Sequence, residues 1–201
     1  MKTLWQFLLS LNSLRKSIGF SKFQKAVKFD FHIEKVETLF YKNVLILAPH
    51  PDDEVFGLGG TIKKMVDSGS KITVVYFCDG SAGIDENSPT KRDQHLVATR
   101  REEVEKSSKI LGVQRRIFLE FEDGKLAENS QTQKAITTLI EEVKPDIIFV
   151  PSLIDNHPDH MAVNQILVKC KSKYLKPNLQ IWAYQVWTPI WINRLVPISK
   201  E

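Results

Sequence analysis

Apolar residues are spaced in two different ways along this chain. Leu4, Phe7, Leu8, Leu11, Leu14 and Ile18 recur at helical spacing, with Arg15, Lys16 and Lys22 nearby, which predicts an amphipathic helix. From residue 43 the pattern changes. NVLILAP (43–49) is a short, continuous, β-branched-rich run of the kind that suits a strand buried on both faces. KITVVYFC (71–78), RRIFLEF (115–121), DIIFVPS (146–152) and LQIWAYQVW (179–187) read as further strands. Helices are expected between them: over 54–68 with a stop at Gly69, over roughly 90–111 with a stop at Gly112, near 130–143 before Pro145, and near 160–172. DGSAGIDENSPTKR, after the second strand, is full of turn formers and reads as a loop. This alternation predicts a single α/β, Rossmann-like domain over 41–201, its mostly parallel sheet covered by helices on both faces, behind an N-terminal helical extension over 1–40.

Charge separates the two parts. Residues 1–42 hold eight Lys and Arg against three Asp and Glu, an excess larger than the whole-chain net charge of +4. The basic character therefore belongs to the extension, and the body offers no nucleic-acid motif or arginine-interleaved aromatic platform. The extension has three readings: a helix packed on the domain or a partner, a helix within residues 1–30 lying on an anionic membrane surface, or a targeting segment. Its apolar stretch is short, is interrupted by Gln6 and lacks a clean cleavage site, which argues against a signal peptide. No apolar run reaches the ~18 residues a membrane span needs. Cys78 and Cys170 are far apart and read as idle thiols of a reducing compartment, so a cytoplasmic protein, with optional membrane association, is expected.

Two clusters carry chemistry. PHPDDE follows the first strand and DNHPDH the fourth. In a parallel sheet both lie beyond the carboxyl ends of strands, where ligands bind, together with Cys78–Asp79–Gly80 and Phe121–Glu122–Asp123–Gly124. Like charges packed this closely repel one another and imply a cation. His50 and Asp53 are three residues apart, as are His157 and His160, so each pair can face one point. Three of these four side chains suffice for a catalytic zinc with a position left for water. His50, Asp53 and His160 are the natural set, with Asp52 and His157 flanking. A carboxylate there can act as general base, and a histidine can stabilise an oxyanion and protonate a leaving amine. Asp155 or Asp159 could orient that imidazole. Each cluster alone also suits helix capping; their conjunction on one sheet edge points to a metal site. GLGG (57–60) lacks the dinucleotide spacing and sits behind acids that would repel a pyrophosphate, so these glycines are expected to let a helix pack close to the sheet.

With LAPHPDDEVFGLGGTI, TRREEVEKSSKILGV and DIIFVPSLIDNHPDH in view, the chain from about Asn43 onward resembles the PIG-L / LmbE-like family of zinc-dependent N-acetylglucosaminyl deacetylases. The resemblance implies zinc on His50, Asp53 and His160, Asp52 as general base, and His157 as electrophilic and acid partner tuned by Asp159. It implies an amidohydrolase acting on a linear amide, removing acetyl from an N-acetylated amino-sugar conjugate. Arg100 matches an arginine that reaches the sugar or its aglycone, though on a helix it could simply pair with Glu103. Asp79 and Asp123 lie in loops that line the family's sugar pocket, or serve as turn residues before Gly80 and Gly124. Trp182, Tyr184, Trp187 and Trp191 suit packing better than a sugar-stacking platform. Family members usually continue past the stretch matching WTPIWINRLVPIS; this chain stops at Glu201, which leaves open a naturally short or a shortened form, with part of the substrate pocket at stake.

Histidine–carboxylate ligation also accepts Fe2+, Co2+ or Mn2+ in place of Zn2+. Two other function classes compete. A two-metal phosphoesterase needs bridging carboxylates that the sequence scarcely offers. A non-catalytic peripheral membrane or binding protein is opposed by the presence of every expected catalytic residue. The sequence carries no signal for oligomeric state or for the aglycone.

Overall fold

A computed structural model of the chain describes residues 39–82, 93–153, 155, 157–174 and 179–186, with side chains in the last helix described as far as Cys170. Residues 1–38 of the expected N-terminal extension, most of the expected loop after the second strand (83–92), Trp187 and Trp191 lie outside the described residues. β1 (Asn43–Ala48) leads to α1 (Asp53–Asp67), β2 (Lys71–Cys78), α2 (Gln94–Leu111), β3 (Arg115–Phe121), α3 (Ser130–Val143), β4 (Ile147–Pro151), α4 (Pro158–Tyr174) and β5 (Gln180–Tyr184). Among the described residues no helix is long and apolar enough to cross a membrane.

The five strands form one parallel sheet in the order β3-β2-β1-β4-β5. β1 lies at the centre, pairing Ile46 with Val74 on one side and with Phe149 on the other. Alternate residues of the strands feed two cores. Leu45, Leu47, Val75, Phe77, Ile148 and Val150 pack against Ile136 and Ile140 of α3 and Val163 and Ile166 of α4. Val44, Ile46, Val74, Tyr76, Ile147 and Phe149 pack against Leu58, Ile62 and Met65 of α1 and Val104 of α2. A strand buried on both faces has no polar side to show, which is why β1 reads as an unbroken apolar run. β3 is an edge strand and only half-buried.

Helix ends follow local chemistry. α2 begins at Gln94, later than the expected start near 90, because the Asp93 carboxylate accepts the N–H groups of His95 (2.9 Å) and Leu96 (3.2 Å). Asn129 and Thr132 form a reciprocal capping box at the start of α3. Gly112 ends α2 at φ 80°, a conformation glycine adopts without steric cost.

The strand order decides where ligands can gather. After β1 the chain runs outward through β2 to β3, then crosses back to β4 on the far side of β1. The carboxyl ends of β1 and β4 therefore border the topological switch point of the sheet, the crevice in which open α/β folds bind ligands. The turns carrying PHPDDE and DNHPDH leave those two strand ends.

Candidate active site

His50 and Asp53 leave the end of β1, and His157, Asp159 and His160 surround the start of α4. The switch point brings them together. Ring centroids are 4.8 Å apart for His50 and His157, 5.1 Å for His157 and His160, and 5.6 Å for His50 and His160.

Asp53 Oδ2 lies 3.3 Å from His50 Nδ1 and 3.3 Å from His160 Nε2. Zinc bonds of about 2.0–2.1 Å in tetrahedral geometry put neighbouring ligand atoms about 3.3–3.4 Å apart, so these three donors already span two edges of such a site. His160 supplies a second sign of fit. Its Nδ1 is 3.0 Å from Asp155 Oδ2, while its buried Nε2 makes no hydrogen bond. A histidine whose one nitrogen is fixed by a carboxylate and whose other is buried without a hydrogen bond has the form of a metal ligand. His157 also belongs to a cluster in which its donor atom and those of His50 and His160 lie within 4.8 Å of one another.

A second group of carboxylates surrounds the other side of His50. Its Nε2 is 2.9 Å from Asp159 Oδ2 and 3.0 Å from Asp123 Oδ1. Asp159 is itself anchored by the N–H groups of Gly124 (2.8 Å) and Leu126 (3.1 Å). Its carboxylate thus serves His50, and it meets His157 through its backbone N–H, which donates to His157 Nδ1 at 3.3 Å. Asp155 serves His160, and it also accepts the Val186 N–H at 3.2 Å. Cys78, read from sequence as an idle thiol, stands at the floor of the site with Sγ 3.7 Å from Asp159 Oδ2.

Charge follows from these contacts. Burial alone would lower the His50 imidazole, but Asp123, Asp159 and Asp53 outweigh it and hold His50 raised. Burial opposes ionisation of Asp53, yet His160 and His50 keep its carboxyl well below the usual range. Burial lowers His157, and the nearby His50 and His160 imidazoles add to that. Asp52 is pushed up to about 6, by burial first and by Asp53 second, against the opposing pull of Arg100 and His50. Its side chain is still 49% exposed, so its desolvation is partial.

The residues expected to meet substrate divide. Arg100 Nη1 is 3.6 Å from Asp52 Oδ2 and donates to the Pro51 carbonyl at 3.3 Å. Gly80 makes room for it, since a Cβ there would meet Arg100 Cδ at 2.7 Å. Asp123 touches His50 through one oxygen and accepts the Ala82 N–H through the other at 3.2 Å. Asp79 is buried and accepts the Ser81 N–H at 3.0 Å, a turn contact. Trp182 packs edge-on to Phe149, and Tyr184 is buried with its hydroxyl donating to the Leu47 carbonyl at 2.9 Å. Glu54 and Tyr76 carry no assigned role in the sequence reading, yet Tyr76 Oη donates to Glu54 Oε1 at 2.6 Å directly beneath the HPDDE turn. The signal for that pair was a tyrosine inside the buried run of β2, because a buried hydroxyl needs a partner.

Residues 45–171 match the family model described as GlcNAc-PI de-N-acetylase, PIG-L. The chain is 36% identical over 140 residues to the diacetylchitobiose deacetylase of Thermococcus kodakarensis, covering 68% of this chain and 52% of that protein. It is 29% identical over 140 residues to a probable N-acetyl-alpha-D-glucosaminyl L-malate deacetylase 2 of Bacillus cereus, covering 67% of this chain and 63% of that one. The solved N,N'-diacetylchitobiose deacetylase of Pyrococcus horikoshii superposes with a TM-score of 0.62 at 30% identity, covering 72% of this chain and 60% of that one. The chain thus spans between half and two thirds of the length of these relatives. The matched residues run from β1 into α4 and include both histidine–aspartate turns, and by this match the chain belongs to the PIG-L family.

Proposed function

We propose that this chain is a metal-dependent deacetylase that hydrolyses the N-acetyl group of an N-acetylglucosamine-type conjugate, with zinc as the preferred ion. The observation that carries the reading is the placement of Asp53 Oδ2 at 3.3 Å from both His50 Nδ1 and His160 Nε2. His50, Asp53 and His160 would hold the ion. Asp53 is preferred to His157 as third ligand because it contacts both imidazoles and is held ionised, whereas His157 is only partly buried. A divalent ion bound there supplies Lewis-acid polarisation of a carbonyl and lowers the pKa of a water toward about 7.

The remaining groups divide the proton work. Asp52 accepts the proton of the attacking water as the new C–O bond forms; a carboxylate raised to about 6 is well matched to a base operating near neutrality. His157 accepts the Asp159 N–H at Nδ1, so its neutral form carries the proton on Nε2. That N–H can donate to the developing oxyanion, and the proton that Asp52 took from the water passes to the amine as the C–N bond breaks. Acetate and a free primary amine result. Arg100, beside Asp52, can engage the sugar or its aglycone, and Asp123 stands at the same rim.

The names of the relatives support the substrate class: diacetylchitobiose and an N-acetylglucosaminyl malate are both N-acetylhexosamine conjugates. The test is release of primary amine by the purified chain from a panel holding N,N'-diacetylchitobiose and other N-acetylglucosamine conjugates, with and without a chelator. Chelator-sensitive release is expected. Absence of release across the panel, or release that a chelator leaves untouched, overturns the proposal.

A further inference from the structure

Asp52 stands at the N-cap of α1 with φ 114° and ψ −27°, on the positive-φ side that residues with a Cβ rarely adopt. Such strain persists only where the surroundings impose it. An aspartate at an N-cap ordinarily folds its carboxylate onto the N–H groups of the first turn. Asp52 makes no such side-chain bond. Its carbonyl alone serves the helix, accepting from Val55 at 2.9 Å and Phe56 at 3.0 Å. The carboxylate is thereby released from capping and faces Arg100.

We infer that Glu54, anchored by Tyr76, is the positioning residue for the Asp52 carboxylate, an inference that rests on Asp52 as general base. Glu54 Oε2 accepts the Asp52 N–H at 3.3 Å, and Glu54 Oε1 accepts the Tyr76 hydroxyl at 2.6 Å. Glu54 is 1% exposed and Tyr76 0%, so water cannot replace the bond between them. Tyr76 is fixed in turn by its place on β2, next to β1, and by stacking on Phe118 at 5.0 Å between centroids. The chain of contacts runs from the sheet through a buried carboxylate to the one amide whose orientation sets the positive φ. Break it, and the Asp52 peptide is free to relax to an ordinary N-cap conformation, with its carboxylate turned back onto the helix.

The chemistry of Glu54 makes the idea testable. Glutamine keeps its shape but replaces one acceptor oxygen with a donor, so it cannot accept from both Tyr76 and the Asp52 amide. Tyr76→Phe deletes one oxygen and leaves the ring stacked. In the full chain loaded with zinc, both Glu54→Gln and Tyr76→Phe should lower kcat roughly 10- to 100-fold, with KM and zinc stoichiometry unchanged. Tyr76→Phe carries the test if Glu54→Gln fails to fold. A folded variant with kcat within about twofold of the parent overturns the role, and so does a loss of rate that tracks a loss of bound zinc. Rate that survives Asp52→Asn overturns the base assignment itself. An inactive Asp52→Asn beside fully active Glu54→Gln and Tyr76→Phe overturns the positioning role alone.

Discussion

Asp155 Oδ2 lies 3.0 Å from Nδ1 of His160, and both side chains are buried. This contact fixes the tautomer that leaves Nε2 as the lone-pair nitrogen, and the carboxylate's charge makes that nitrogen a stronger donor. Asp155→Asn keeps an acceptor oxygen and removes the charge. Metal affinity should therefore fall about 10- to 100-fold, read by competition against a chromogenic chelator. An unchanged dissociation constant would show that His160 needs no carboxylate behind it.

Asp53, the proposed third ligand, contacts a histidine from each of the two turns. Asp53→Ala leaves His50 and His160 with no shared carboxylate, and the chain should no longer retain one equivalent of zinc through dialysis. Cys78→Ser removes a buried thiol at the floor of the site without touching that set, and should keep the full equivalent. Elemental analysis of the two variants decides whether the ion sits on the Asp53 side of His50 or against Cys78.

The glycines of GLGG separate into unequal roles. A Cβ at Gly57 would stand 2.9 Å from Tyr184 Cε2 and 3.2 Å from the Gln185 carbonyl oxygen, with a still closer approach to the ring. Tyr184 is buried and tethered to Leu47, so it cannot yield. Gly57→Ala should destabilise by about 1–3 kcal/mol, overpacking outweighing the better helix propensity. Gly60 has no atom within 4 Å of such a Cβ, so Gly60→Ala should stabilise by about 0.5–1 kcal/mol. Urea unfolding of the two variants gives the comparison, and equal midpoints would refute it.

The same contrast shows what the sequence made legible. The expectation that these glycines let α1 approach the sheet holds at Gly57 and has no counterpart at Gly60, because a string of letters does not say which face of the helix meets Tyr184. β1 was readable because burial on both faces leaves an apolar run of five, from Val44 to Ala48, with no polar interruption. The meeting of His50 with His160 was readable too, since crossovers in a parallel sheet bring strand ends to one edge. The partners of the acids were not. Asp159 lies beside His157 in the chain, yet its carboxylate crosses to His50, and the residue that meets His160 is Asp155. Those choices depend on side-chain directions at the start of α4 and on the Gly124 and Leu126 amides arriving from the β3–α3 connection. No spacing rule encodes such long-range contacts.

Arg100 and Asp52 should be linked in the pH profile. A general base works when deprotonated, so kcat/KM should rise with pH through the Asp52 pKa, near 6. Asp53 and burial push that value up, while the Arg100 guanidinium, 3.6 Å away, favours the charged carboxylate and pulls it down. Arg100→Met removes the pull and keeps much of the side chain's length. The rising limb should then move to higher pH, by up to about one unit once the half-exposed setting of the pair is allowed for. Asp52→Asn should erase the limb altogether and lower kcat by roughly 10²–10⁴. Profiles of kcat/KM measured on zinc-loaded protein test both. A limb that stays in place without Arg100, or that persists without Asp52, belongs to another group, and the ion pair would then have no part in setting the base.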